Sequence, residues 1–259
     1  MTSRRLKDNF TGTSEHEDSG YPQSRWQLQA VIAAIVCWIG MNGIVFWAVG
    51  DSLPSLPVVG KFWISLIPIH GAAFFGALAL LRQRVPPGKR LRELDLLPAR
   101  SGMRMPRVVK VSAFTALLFF PCGSLINQFS KWFIELAGFQ PTPPPMAQFL
   151  QQLDSVPLLI SLIVAAVIIA PLVEEILFRL VLFDALRPMG VGSAAVVAAG
   201  AFAFLHGTVV QAPALFVLGL VLQYMRGRYR TLWAPITLHA TFNSISVLLF
   251  WALSSVPAG

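Results

Sequence analysis

Apolar residues run along this chain in long blocks separated by short polar stretches. Seven blocks read as helices, at roughly 28–49, 62–81, 111–129, 157–179, 192–208, 212–225 and 232–253. Most approach the ~20 residues needed to cross a hydrocarbon core of about 30 Å. The sixth is short, which suits a tilted or partly interfacial helix. The fifth is rich in Ala and Gly, which lets helix backbones approach closely in lipid. The expected fold is therefore all-α: a polytopic membrane helix bundle of about seven transmembrane helices. Residues 1–25 mix acids and bases, and no apolar block follows Arg4, Arg5 and Lys7. They read as a disordered cytosolic tail and not as a signal peptide. Residues 26–155 would hold the N-terminal helices and a basic cytosolic loop at 82–110, and residues 156–253 a second set. The stretch "GFQPTPPPMAQF" (138–149) favours extended backbone as a stiff outer connector, with a lid or docking strip as the alternative. "FDALRP" (183–188) continues the fourth helix amphipathically until Pro188 and Gly190 end it.

Composition strengthens the membrane reading. The 259 residues are 55% hydrophobic and 12% charged, against about 25% charged in soluble domains. The formal net charge of +8 would suit nucleic acid, but the basic residues flank apolar spans, where anionic lipid head groups are the natural partners. Seventeen Lys and Arg fall on one side of the seven-span topology, and only Lys61 and Lys131 on the other. The positive-inside rule then puts the N-terminus in the cytosol and the C-terminus outside. Cys37 and Cys122 both lie in apolar blocks and read as packing residues, with no disulfide framework or metal spacing.

Ionisable residues inside the spans change the picture from fold to chemistry. "IIAPLVEEILFRLVLF" (168–183) carries Glu174, Glu175 and Arg179. Each such group adds about 2.5–3.5 kcal/mol to insertion at a helix centre. Glu175 and Arg179 are spaced i,i+4 with the acid first, the favoured order for a helical ion pair. Glu174 lies about 100° around the axis, so Arg179 cannot neutralise both acids equally. One carboxylate is left available. Pro171 removes a backbone hydrogen bond just before it. His206 ends "FAFLH" (202–206), sharing a helix face with Phe202, and His239 opens "HATFN" (239–243), sharing one with Asn243. Glu174 and His206 each lie sixteen residues from Gly190, so an antiparallel hairpin sets them at one height. His239 is nine residues from Arg230, about 13 Å along a helix. A carboxylate, two imidazoles and a carboxamide thus converge in the cytosolic half. His70 reads as a hydrogen-bonding packing residue.

A carboxylate beside an imidazole can take a proton from water. A second imidazole and an amide NH2 on one helical face can donate to a developing oxyanion. These are the parts of a hydrolase that uses activated water, since no Ser or Cys stands beside a base as a nucleophile. Two alternatives use the same residues. Glu174, His206 and His239 could hold Zn2+ as a two-His, one-carboxylate site, although no HExxH occurs. A non-catalytic membrane protein is the other: a proton-coupled transporter with Glu174 and the histidines as a relay, or an immunity-type scaffold. Against a transporter, the chain has no repeated pair of broken helices.

"EEILFR" (174–179), "FAFLH" (202–206) and "HATFN" (239–243) resemble, in order, the EExxxR, FxxxH and HxxxN motifs of the CAAX protease and bacteriocin-processing (CPBP) family, the type II CAAX prenyl endopeptidase group. The resemblance covers roughly residues 155–250. It implies an intramembrane endopeptidase, glutamic in type though long described as a metalloprotease, that cleaves a peptide or membrane-protein substrate in the lipid bilayer. It implies Glu174 as the water-activating base assisted by His206, His239 and Asn243 as oxyanion donors, and Glu175, Arg179 and Phe202 in support, with no resident metal. Leu180 stands where the family often has Gly, which bears on local packing. The expected setting is a multi-pass protein of a prokaryotic plasma membrane, with no nucleic-acid partner.

Overall fold

The computed structural model describes residues 57–84, 103–141, 155–206 and 208–254, together with residues 32 and 36. The tail at 1–25, most of the first apolar block, the loop at 85–102 and all but the start of the Pro-rich stretch lie outside the described residues. Every described element is helical: α1 Val58–Arg84, α2 Met105–Leu136, α3 Val156–Met189, α4 Val191–Leu205, α5 Ala212–Tyr229 and α6 Trp233–Ser254. Prolines open three of them, in the first turns of α2, α3 and α5, where the missing N–H would be unpaired anyway. Gly190 separates α3 from α4 at φ 99°, a conformation open to glycine. Arg230 ends α5 in the left-handed region at φ 50°, its N–H returning to the Arg226 carbonyl.

Among the described residues three helices are long and apolar enough to cross a membrane: α2, α3 and residues 233–252 of α6. The outer surface of the bundle is apolar as well as its core. Phe75, Phe114, Leu118, Phe129, Ile160 and Leu248 are exposed, while Glu175 and Arg179 are wholly buried. Soluble proteins bury the first kind and solvate the second; apolar flanks around polar interior groups are what a lipid environment selects. Cys122, expected as a packing residue, is instead exposed, among the apolar side chains of the middle of α2. His70 bonds the Leu66 carbonyl one turn back, in keeping with a packing role.

α3 is continuous but not uniformly α-helical. π-helical turns at Val164–Ile169 and Ile176–Leu182 flank a short α segment, Ala170–Glu175. Each π turn widens the helix by one residue, and such turns are concentrated at functional sites. Here they bracket both glutamates.

α4 and α5 form a tight hairpin through small residues. A Cβ on Gly219 would lie 3.0 Å from the Ala199 Cβ and 3.1 Å from its Cα. Gly219→Ala gains about 1 kcal/mol in helix propensity, but overpacking against backbone costs about 1–3 kcal/mol. Overpacking wins, and Gly219→Val is worse. Both variants should melt below wild type, in that order; a Gly219→Val protein as stable as wild type would show that the helices can part at no cost.

Candidate active site

The site is assembled by α3, α4 and α6, with α5 supporting through its C-terminal turn. Glu175 is its structural centre. Its Oε2 accepts from Arg179 Nε at 3.0 Å and its Oε1 lies 2.9 Å from His239 Nδ1. The expected i,i+4 pair is present, across the junction of α and π geometry. Its extension to His239 could not be read from spacing, because it joins residues on separate helices. The Arg179 terminal nitrogens have no hydrogen-bond partner. They belong to a guanidinium that sits over the Phe202 ring, 4.9 Å from its centroid, an attraction strengthened where water is excluded.

Phe202 is wholly buried and organises more than its helix. Its ring meets Phe178 edge-on at 5.4 Å, His206 at 4.5 Å and His239 edge-on at 5.6 Å between centroids. It therefore fixes the planes of both imidazoles while covering the Arg179 cation. His206 caps α4, with Nδ1 2.7 Å from the Phe202 carbonyl. Donation to that carbonyl directs Nε2 the other way.

Both Nε2 atoms point at the second glutamate. Glu174 Oε2 lies 3.8 Å from His206 Nε2 and 3.9 Å from His239 Nε2. It is buried and has no hydrogen-bond partner. The carboxylate left over by the Glu175–Arg179 pair thus faces both imidazoles, as the register argument required. The His206 side chain is 31% exposed and that of His239 3%, so the cluster opens on the α4 side and closes against α6.

Asn243 departs from expectation. Its Nδ2 donates to the Ala166 carbonyl at 2.8 Å, so one of its two amide hydrogens is committed to backbone. The reason lies in α3. In a π turn the Ala166 carbonyl would bond the N–H five residues on, and that residue is Pro171, which has none. Asn243 supplies the missing donor. An acceptor opposite also fixes which way the amide faces, leaving its second N–H for other use.

Donor type and spacing disagree about zinc. Two imidazoles held at Nδ1 by acceptors, with Nε2 turned towards a carboxylate, suit a zinc site and its supporting hydrogen bonds. However, tetrahedral ligands at 2.0–2.1 Å lie about 3.4 Å apart, and both separations from Glu174 are wider. Among the described residues no three His, Cys, Asp or Glu form a metal-binding group. The spacing suits water better: a molecule about 2.8 Å from each of two atoms 3.8 Å apart subtends roughly 85°.

Residues 156–245 match the family model for the type II CAAX prenyl endopeptidase, Rce1-like. No curated protein and no solved structure matches the chain. The matched segment holds all three motifs and every side chain of the site. Its longest helices are apolar enough to cross a membrane, and this segment, about a third of the chain, is similar to the type II CAAX prenyl endopeptidases of the CAAX protease and bacteriocin-processing family.

Proposed function

We propose that this chain is an intramembrane endopeptidase that hydrolyses a peptide bond with water activated by Glu174 and His206. The family supports peptidase activity on a peptide or protein substrate. The observation that carries the finer reading is the unpartnered Glu174 Oε2 held 3.8 and 3.9 Å from two imidazole nitrogens. Water between Glu174 and His206 gives a proton to the carboxylate as its oxygen attacks the carbonyl carbon. The developing oxyanion is met by the free amide N–H of Asn243 and by His239 Nε2, which donates when the ring carries both protons; the Glu175 carboxylate faces that charge. Glu174 then passes its proton to the leaving amine. About seven spans, with the N-terminus in the cytosol of a prokaryote, fit the distribution of basic residues. Comparing N- and C-terminal peptides from membranes carrying wild type or Glu174→Gln tests the proposal. New termini should appear only with wild type; identical termini in both would leave a transporter or scaffold.

The mechanism routes no step through a metal. Cleavage should therefore persist after prolonged treatment with a strong chelator. Loss of activity that added Zn2+ restores would overturn the metal-free mechanism.

A further inference from the structure

Asp184 and Arg226 take no part in the chemistry above, yet they are joined to it. Asp184 follows Glu174 by ten residues, about 15 Å along the helix, where α3 nears the basic cytosolic edge. Arg226 lies in the last turn of α5. The two pair through both arms, Nη1 to Oδ1 at 3.0 Å and Nη2 to Oδ2 at 3.1 Å, the fork geometry that only arginine offers a carboxylate. The same Nη1 donates to the backbone carbonyl of Arg179. That carbonyl belongs to the second π turn of α3, and to the residue whose side chain holds Glu175.

An unbroken series of contacts results. Arg226 Nη1 bonds the Arg179 carbonyl, Arg179 Nε bonds Glu175, Glu175 bonds His239 Nδ1, and His239 Nε2 faces Glu174. The Arg226 backbone is itself fixed, since its carbonyl accepts the N–H of Arg230 in the left-handed cap. Asp184 orients the fork and Arg226 anchors the π turn. The Phe183 ring, 5.8 Å from the Arg226 guanidinium carbon, backs the pair on α3.

We propose that Asp184 and Arg226 are positioning residues, a clamp at the cytosolic edge that holds the π turn of α3 and through it the Glu175–His239 pair. This rests on the active-site reading above. A plain tether between α3 and α5 would need only the two opposite charges. A positioning clamp also needs the donor to the Arg179 carbonyl, and exchanging the two residues separates these roles. In Asp184→Arg/Arg226→Asp the ion pair can re-form, but position 226 then has no side-chain donor.

The test uses full-length protein in lipid nanodiscs with 15N-labelled histidine. Wild type should give a sharp, slowly exchanging Nδ1–H resonance for His239, assigned by its loss in His239→Gln. In Arg226→Met that resonance should broaden or vanish. In the exchanged double variant, yield and melting should return towards wild type while the resonance stays lost. Termini that depend on Glu174 should stay reduced by about tenfold at matched protein level, the usual scale for groups that orient a catalytic residue. Arg228→Lys, an exposed neighbour on the same turn, should change nothing. A wild-type resonance in Arg226→Met overturns the clamp. So does an exchanged variant that recovers both stability and resonance, or one that fails to fold. The resonance reports on His239 whatever the site does, so an absence of Glu174-dependent termini in wild type refutes the protease reading and not the clamp.

Discussion

Glu174→Gln is expected to lower cleavage by about 10³–10⁴-fold, the upper range for loss of a positioned general base, without loss of folded protein. Glutamine keeps the shape and can still bond a water, but it cannot take the water's proton. Each factor of ten corresponds to about 1.4 kcal/mol of transition-state stabilisation, so the base would supply roughly 4–5.5 kcal/mol. The fold should be indifferent because Glu174 Oε2 has no hydrogen-bond partner to lose, and a neutral amide is easier to bury than a carboxylate. His206→Ala should be similarly inactive. The double variant should be no worse than the worse single one, because groups that act on one water fail together. Residual cleavage within tenfold of wild type in Glu174→Gln, at equal yield, would remove Glu174 from the mechanism.

How much of this was visible in the sequence depends on the range of each interaction. Helix periodicity is local, so the Glu175–Arg179 pair and the freedom of Glu174 followed from two residue numbers. Hairpin symmetry about Gly190 is nearly local, and it set Glu174 level with His206. The boundaries of α5 and α6 lie within four residues of the apolar blocks, whereas α2 runs six residues earlier and seven later than its block. Two features were hidden. The bond between Glu175 and His239 joins positions 64 apart, and its existence depends on how α6 is rotated against α3. The π turns are register shifts that no apolar pattern announces. Pro171 hinted at a disturbed ladder, but its consequence, a carbonyl five residues back that draws in Asn243, requires the π register. Asp184 and Arg226 were legible only as edge charges. The basic loop expected at 82–110 is shorter, since Arg84 still ends α1 and Met105 already opens α2; nearly all of the first apolar block and residues 85–102 lie outside the described residues.

Glu175→Ala and Arg179→Ala should behave quite differently from Glu174→Gln, and the contrast follows from burial. Both side chains have zero exposure, so solvent does not screen what is left when one is removed. Breaking a buried pair from one side costs about 3–5 kcal/mol, a large part of a typical stability of about 5–15 kcal/mol. Membrane yield and melting temperature of the purified protein should fall together with cleavage in each single variant. Removing both charges at similar volume, as in Glu175→Leu/Arg179→Met, should restore yield, because a well-packed apolar pair is often as stable as the ion pair it replaces. Cleavage should not return. His239 Nδ1 would face leucine in place of a carboxylate at 2.9 Å, and its Nε2 would no longer be held towards Glu174. Single variants with normal yield would show that the charges find other partners; a double variant that cleaves would show that His239 needs no support. If neither occurs, the ion pair is maintained for the orientation of one imidazole, since the fold alone could be held by two apolar side chains.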